Sequence, residues 1–159
     1  VVGKTEGHID QSLFSRTILD EKNGPPPEVN LFNEKNNGET LLKLINQNYI
    51  ESAHDVSLGG LLTAISKMCI KGNKGIKLKK PKHSLSDIEY FFGEDQGRYI
   101  IEINPMNLNE VTQILEKNSV HYEELGIIIE KEMILYDKTK VVIDELKSIN
   151  TNWLKNYMS

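Results

Sequence analysis

The clearest hydrophobic pattern along the chain lies in residues 61–71, where apolar side chains recur every three or four positions. This spacing puts them on one face of a helix, and Gly72 is a suitable residue for ending that helix. The same kind of spacing predicts further helices. They cover residues 9–19, 39–48, 85–91 and 108–115, and residues 141–157 as one helix or a pair.

Short runs rich in β-branched and aromatic residues alternate with these helices and predict strands. They cover residues 49–56, 76–78, 98–103, 120–129 and 133–136. Helices and strands mixed in this order indicate an α+β fold, in which a mixed or antiparallel sheet is covered by helices. The length of 159 residues predicts a single domain, residues 1–159.

Composition narrows the classes of function. The net charge of −4 gives no basic footprint of the kind that nucleic-acid-binding domains carry. No apolar run approaches the roughly 20 residues of a membrane-spanning helix. The single cysteine, Cys69, lies in the apolar segment 61–71, and we expect it to be a small buried hydrophobe in a reducing compartment. We therefore expect a cytoplasmic protein with no nucleic-acid partner and no membrane partner.

The most basic stretch is the lysine-rich segment 71–82. Aromatic residues do not interleave its lysines, as they do in proteins that bind single strands. A solvated sheet edge is therefore the better interpretation. His83 and His121 have no cysteine or acidic neighbour at metal-ligand spacing, so we expect no metal site.

Residues 53–60, Ala-His-Asp-Val-Ser-Leu-Gly-Gly, lead from an extended piece into the helix 61–71. Ser57 can cap this helix, and Gly59 and Gly60 let a ligand approach bare backbone. Asp55 can order the turn or hold a ligand hydroxyl. Because a helix N-terminus offers unpaired N–H groups, the turn suits a phosphate. The alternative is a capped helix whose glycines permit close packing.

Residues 92–99, Phe-Gly-Glu-Asp-Gln-Gly-Arg-Tyr, gather two acids, an amide and an arginine just before a predicted strand. A polar cluster at this position lies where ligand sites at sheet edges are found. The candidate ligands are Glu94, Gln96 and Arg98. The alternative is a loop in which the carboxylates accept hydrogen bonds from backbone N–H groups and pair with Arg98.

Together these segments resemble the small bacterial type of phosphoribosylformylglycinamidine synthase. That family carries an Asp-Val-Ser-Asp-Gly-Gly-Leu turn, matched here by residues 55–61, and a Phe-Gly-Glu-Asp-Gln-x-Arg-Tyr segment, matched by residues 92–99. The second segment is the more specific, since the Asp-x-Ser-x-Gly-Gly turn is shared with aminoimidazole ribonucleotide synthetase and selenophosphate synthetase. Further matches follow the family order along the chain. They are the opening Gly-x-Thr-x-Gly-His at residues 3–8, Gln11-Ser12, the proline loop 24–27, residues 125–128 and Trp153.

The resemblance implies the C-terminal domain of a synthetase that converts formylglycinamide ribonucleotide, ATP and ammonia into formylglycinamidine ribonucleotide, ADP and phosphate. A start at Val1, without methionine, is what we expect of a piece of such a longer polypeptide. The family's catalytic histidine, metal-binding carboxylates and most ATP contacts lie in earlier domains, so we expect the chain alone to be inactive. The implied cofactors of the full enzyme are ATP or ADP and Mg²⁺. The implied partners are the upstream domains, a glutaminase subunit and a small assembly subunit.

The resemblance implies an enzyme with two copies of this helix-covered sheet domain, of which this chain is the second. In this second copy, the family pocket is expected to hold an auxiliary nucleotide with a structural role. The resemblance thus makes seven residues auxiliary binders rather than catalysts: Asp55, Ser57, Gly59, Gly60, Glu94, Gln96 and Arg98. Leu58 replaces the second aspartate of the family turn, which removes one acidic ligand candidate. Asp10 stands where a glycine is common.

Three alternatives stay open. The chain can belong to another member of the same superfamily, similar to aminoimidazole ribonucleotide synthetase. It can be a stand-alone nucleotide-binding regulatory module, which would bind nucleotide without partner domains. It can also be a structural domain whose pocket has decayed, which would bind no ligand.

Overall fold

The computed structural model describes residues 1–82 and 84–158, with the backbone alone at Asn156. Its helices are α1 (Leu31–Asn46), α2 (Gly60–Gly72), α3 (Asp87–Phe92), α4 (Leu108–Lys117) and α5 (Ile143–Met158). Its strands are β1 (Ser52–Asp55), β2 (Gly75–Leu78), β3 (Tyr99–Glu102), β4 (Gly126–Ile129), β5 (Glu132–Leu135) and β6 (Thr139–Val142). The predicted α+β class with mixed and antiparallel sheets is confirmed. In the part of the chain described, no helix has the length and apolar character needed to cross a membrane.

Contacts between Cα atoms divide the chain into two compact units. Unit 1 comprises Val1–Ala64 and Ser84–Glu123, and unit 2 comprises Ile65–His83 and Glu124–Ser159. The expectation of a single domain over residues 1–159 stays a prediction.

Unit 1 is built around a two-stranded antiparallel sheet. Strand β1 pairs with β3, with Ser52 opposite Glu102 and Asp55 opposite Tyr99. A cluster of buried apolar side chains forms its core: Val2, Leu44, Val111, Leu115 and Val120. Leu44 lies on α1, and Val111 and Leu115 lie on α4, as the helical spacing predicts.

Helix α1 begins at Leu31, well before its predicted start at residue 39. The side chain of Asn30 accepts a hydrogen bond from the backbone N–H of Asn33 at 3.0 Å and so caps the helix. Asn37 is buried and donates to the carbonyl oxygen of Gly97 at 2.9 Å. Because asparagine and glycine have low helix propensity, residues 31–38 carry a weak helical signal, which these contacts override.

The predicted helix 9–19 is present only from residue 13 onward: residues 13 and 14 are α-helical, whereas residues 9–12 are not helical. A π-helical turn covers Ser15–Leu19. Gln11 and Asp20 have positive φ values of 60° and 56°, a left-handed conformation that interrupts a right-handed helix.

Unit 2 contains a four-stranded sheet in the order β4-β2-β5-β6. Strand β2 is antiparallel to β4 and parallel to β5, and β5 and β6 form an antiparallel hairpin. Tyr136 and Asp137 turn this hairpin with φ values of 54° and 59°, as a type I′ turn requires. The buried apolar side chains of the sheet include Ile76, Leu78 and Met133.

Two predicted elements are found with shorter bounds, and the sheet-edge interpretation of the lysine-rich segment 71–82 is wrong, because β2 lies between β4 and β5. The predicted strand 120–129 is a strand only at Gly126–Ile129. The predicted helix 141–157 begins at Ile143, because residues 139–142 form β6 instead. Strand β6 is exposed at three of its four residues, so it lacks the alternation of buried and exposed positions by which a half-buried strand is recognised.

Candidate functional site

The two predicted motifs meet in unit 1 through Glu94. Its Oε1 accepts a hydrogen bond from the backbone N–H of Gly59 at 2.8 Å and another from that of Leu13 at 2.8 Å. Glu94 lies in the loop between α3 and β3, whereas Gly59 lies in the turn that precedes α2. The carboxylate therefore fixes this turn from inside.

The glycines of the same turn permit close packing of backbone on backbone. Gly60 has a φ of +72°, and a Cβ added there would lie 2.7 Å from the carbonyl oxygen of Phe91. Ser57 accepts a hydrogen bond from Gly60 N–H at 2.9 Å through its backbone carbonyl. Leu58, which replaces the family's aspartate, is 62% exposed.

Asp95 is a buried residue that the seven predicted positions do not include. Its Oδ2 accepts hydrogen bonds from the backbone N–H groups of Glu6 and Gly7 at 3.0 and 3.1 Å. Its Oδ1 accepts one from His8 at 2.9 Å. Successive N–H groups that converge on one anion form a nest, and here the anion is internal. One sequence signal could have identified Asp95 as a structural residue: it lies three positions before Arg98 in a glycine-flanked loop.

Arg98 is 1% exposed and its guanidinium bonds to neighbouring groups of unit 1. Its Nη2 donates to the carbonyl oxygen of Gly93 at 2.6 Å and lies 3.5 Å from Asp95 Oδ2. Its Nη1 donates to the hydroxyl of Thr5 at 3.3 Å. Burial lowers the pKa of the guanidinium, and the carboxylate of Asp95 opposes this effect. These contacts are those expected of a loop in which carboxylates accept backbone N–H groups and pair with Arg98.

Four of the seven predicted residues line one shallow depression of about 210 Å³ in unit 1: Asp55, Ser57, Gln96 and Arg98. Gln96 is exposed, and its side chain has no hydrogen bond within the described residues. The carboxylate of Asp55 is 65% exposed and lies 3.3 Å from Nδ1 of His54. Gly59 and Gly60 in the turn before α2, and Glu94 in the loop before β3, are outside this lining. The ligand roles of all seven residues stay predictions.

A larger groove of about 560 Å³ lies beside the depression, with Glu34, Gln96 and Gly97 common to both. Its walls come from the opening segment, the end of the proline loop and the residues after it, α1, the Asp95 loop and the segment after α4. The lining residues are Lys4, Glu6, Gly7, His8, Ile9, Asp10, Pro27, Glu28, Asn30, Asn33, Glu34, Asn37, Asp95, Gln96, Gly97, Ser119 and His121.

Carboxylates outnumber cations along this groove. Lys4 is paired with Glu6 at 2.5 Å, and this hydrogen bond raises the pKa of Lys4. A phosphate would meet like charges here unless a cation accompanied it, whereas the carboxamides of Asn33 and Gln96 suit neutral hydrogen-bonding groups. Across residues 1–82 and 84–158, no group of three or more histidine, cysteine or acidic side chains is arranged to hold a metal ion. His83 lies outside the described residues.

The fold resembles solved structures of a larger enzyme. The structure of Thermotoga maritima PurL complexed with FGAR superposes with a TM-score of 0.76 at 21% identity, covering 92% of this chain and 27% of that one. The structure of PurLQS from the same organism gives a TM-score of 0.65 at 23% identity, covering 89% of this chain and 24% of that one. At this level of identity the likeness shows the fold.

Sequence comparison gives closer relatives. The chain is 66% identical over 158 residues to the phosphoribosylformylglycinamidine synthase subunit PurL of Pelagibacter ubique, covering 99% of this chain and 22% of the relative. The corresponding subunit of Bartonella bacilliformis is 44% identical over 114 residues, covering 72% and 15%. The chain thus spans about a fifth of the length of the curated relatives it matches.

A family model described as "AIR synthase related protein, C-terminal domain" matches residues 2–138, from the opening loop through the β5–β6 turn. That range contains the turn before α2, the Asp95 loop, the depression and the groove. The chain therefore belongs to the family of AIR synthase related proteins and carries their C-terminal domain.

Proposed function

We propose that this chain is the C-terminal domain of a phosphoribosylformylglycinamidine synthase, a carbon–nitrogen ligase of purine biosynthesis. The observation that carries the proposal is the 66% identity over 158 residues to the PurL subunit of Pelagibacter ubique. The segment with Glu94, Asp95 and Gln96 supports this assignment over an aminoimidazole ribonucleotide synthetase, because it is the more specific of the two motifs.

The proposed reaction of the whole enzyme is the ATP-dependent conversion of formylglycinamide ribonucleotide to formylglycinamidine ribonucleotide. Solved relatives from Thermotoga maritima are complexed with FGAR and with ATP, and one is a PurLQS assembly. By analogy, the partners proposed are the upstream domains, a glutaminase subunit and a small assembly subunit in the cytoplasm. When bound, Mg²⁺ would offset negative charge on the nucleotide phosphates.

Within this enzyme we assign the domain an auxiliary nucleotide site at the 210 Å³ depression. Exposed oxygens of Asp55 and Ser57 are suited to a ribose hydroxyl or to Mg²⁺, and the unpartnered carboxamide of Gln96 is suited to a polar edge of the ligand. Arg98 acts indirectly, because its guanidinium already holds Asp95 and Gly93. None of these residues is a catalytic group.

A segment exchange tests the enzyme assignment. The C-terminal region of the Pelagibacter relative is replaced by this chain, and ADP formation is measured with formylglycinamide ribonucleotide, ATP and ammonia. We expect activity close to that of the unaltered relative, whereas the isolated chain should show none. An inactive but folded chimera, or turnover by the isolated chain, would contradict the assignment.

A thermal melt with and without Mg-ADP tests the auxiliary site. At about 100 times its dissociation constant, a ligand stabilises the folded state by about 2.7 kcal/mol. We expect an upward shift in Tm that is lost in Gln96→Ala and kept in Gln113→Ala, an exposed glutamine of α4. Gln96 is a sharper choice than Glu94, whose loss would release Gly59 and Leu13 and destabilise the fold itself. No shift in the unaltered chain would favour a purely structural domain.

A further inference from the structure

Residues 20–27, called the strap, form an exposed segment that leads into one wall of the 560 Å³ groove. Every residue from 16 to 26 is exposed, which leaves the strap little apolar burial to hold it. Pro27 belongs to the groove lining, together with His8 and Asp10.

The side chains of Gln11 and His8 hold the strap. The side-chain amide of Gln11 donates to the carbonyl oxygens of Lys22 and Gly24 at 2.7 and 3.2 Å. Nε2 of His8 lies 3.0 Å from the carbonyl oxygen of Pro25, which can only accept, so this nitrogen carries the proton.

Gln11 is itself held in position. Its φ of 60° lies in the left-handed region, which disfavours residues with a Cβ. Its Oε1 accepts a hydrogen bond from Nη2 of Arg16 at 2.8 Å, which orients the amide so that its N–H groups face the strap. A left-handed residue persists where surrounding contacts fix it, and such positions concentrate at clamps and switch regions.

Two residues of the strap have a left-handed backbone conformation. Asp20 and Gly24 have φ values of 56° and 90°, so the backbone on both sides of Lys22 already leaves the right-handed and extended regions. The strap is also attached at Glu21, whose backbone N–H donates to the carbonyl oxygen of Ser15 at 3.0 Å and whose carbonyl oxygen accepts from the hydroxyl of Ser15 at 3.2 Å. Each of these hydrogen bonds contributes little net free energy, and no named strand includes a residue of the strap.

We propose that the strap is a movable wall of the groove, that Gln11 and His8 latch it closed, and that a ligand enters the groove when the latch opens. The latch is a property of this chain alone. Its coupling to nucleotide rests on the proposed auxiliary site.

Limited trypsin digestion of the chain tests the latch, because Lys22 places a cleavage site inside the strap. We expect Gln11→Ala to raise the rate of cleavage after Lys22 by roughly tenfold relative to cleavage after Lys43 in α1. Gln11→Glu, which keeps the size but removes the two donors, should act similarly. Gln113→Ala should leave the ratio unchanged. An unchanged ratio in Gln11→Glu, in a protein that melts like the wild type, overturns the latch.

Repeating the digestion with Mg-ADP separates the two proposals. We expect Mg-ADP to slow cleavage after Lys22 in the wild type, and to do so less in Gln11→Ala. If Mg-ADP raises the Tm yet leaves this cleavage unchanged, the movable wall is overturned and the nucleotide site stands. If Mg-ADP changes neither Tm nor cleavage, the nucleotide site fails, and the Gln11 variants alone decide the latch.

Discussion

At the scale of single residues, adjacent acids have different tasks. Glu94 joins two turns through one carboxylate oxygen, and Asp95 collects the N–H groups of residues 6–8. Gln96 follows them directly and is exposed without a hydrogen bond among the described residues. In the segment with Glu94, Asp95 and Gln96, the two acids therefore stabilise the fold, and the side chain of Gln96 is the one we propose for contact with a ligand.

Replacing Asp95 should be among the most destabilising single changes in unit 1. Asp95→Ala leaves three buried or half-buried N–H groups and the buried guanidinium of Arg98 without their anion. Breaking a buried ion pair from one side costs about 3–5 kcal/mol. We expect that loss in urea unfolding, and a smaller one for Asp95→Asn. Glu39→Ala, which removes an exposed pair with Lys35, should change stability by less than about 1 kcal/mol. Equal losses for the two positions would contradict the role given to Asp95.

At the scale of elements, helices with strong periodicity were predicted from sequence and elements fixed by distant contacts were not. Helix α2 is found within one residue of each predicted end. Helix α1 was predicted only in its second half, because its first half depends on the Asn30 cap and on the contact between Asn37 and Gly97. The same holds for the candidate site. Its two motifs can be recognised in the sequence, but the hydrogen bond by which Glu94 joins them is known only from the folded structure.

Helix α2 offers a matched pair of glycines. Gly60 has positive φ and lies against the backbone of Phe91 and Phe92, whereas nothing lies within 4 Å of a Cβ added at Gly72. We expect Gly60→Ala to lower the free energy of unfolding by about 2–4 kcal/mol. Gly72→Ala should be neutral or raise it by up to about 1 kcal/mol. Thermal melts of the two variants suffice, and a tolerated Gly60→Ala would refute the close packing.

Helix α3 should contribute to the pH dependence of stability. Ser86 and Glu89 form a capping box, and hydrogen bonds from Ser86 lower the pKa of Glu89 below its ordinary value of 4.5. Since the pKa is lower in the folded than in the unfolded chain, the stabilisation is present above about pH 4.5 and is lost as the pH falls through the folded pKa.

The measurement compares the wild type with Glu89→Gln. We expect the variant to be less stable at pH 7, with a difference that shrinks steadily below pH 4.5. Glu110→Gln, in the first turn of α4 where Asn107 makes no side-chain cap, is the control. A difference in stability that stays constant with pH would show that the charge of Glu89 does not contribute to it.

At the scale of the whole molecule, the net charge of −4 is distributed very unevenly between the two units. Unit 1 carries seven lysines and arginines against seventeen acids, whereas unit 2 carries twelve lysines against six acids. In unit 2, acids pair with Lys77, Lys79 and Lys140. Unit 1 therefore has a net negative charge and unit 2 a net positive charge.

This uneven charge distribution predicts that the chain binds to a cation exchanger, although its pI of about 5.6 would suggest that it does not. At pH 7 and low salt, we expect the chain to be retained on a cation exchanger through unit 2, because the screening length of about 10 Å at 0.1 M salt lets a local patch act alone. The double variant Lys80→Glu with Lys82→Glu should elute earlier. The double variant Lys22→Glu with Lys43→Glu changes the net charge equally but lies in unit 1, so it should elute close to the wild type. Equal shifts for both would show that net charge governs retention.

The close packing around Gly7, Gly60 and Gly93 also has a consequence for the gene. A Cβ at Gly7 would lie 2.9 Å from Cβ of Glu89, and one at Gly93 would lie 2.9 Å from Cα of Gly7. Every glycine codon can change its third base silently, but any change at its first or second base introduces a side chain or a stop. At these three codons we expect natural variation to be confined to the third base, whereas the codon of Gly72 should be free to drift at all three.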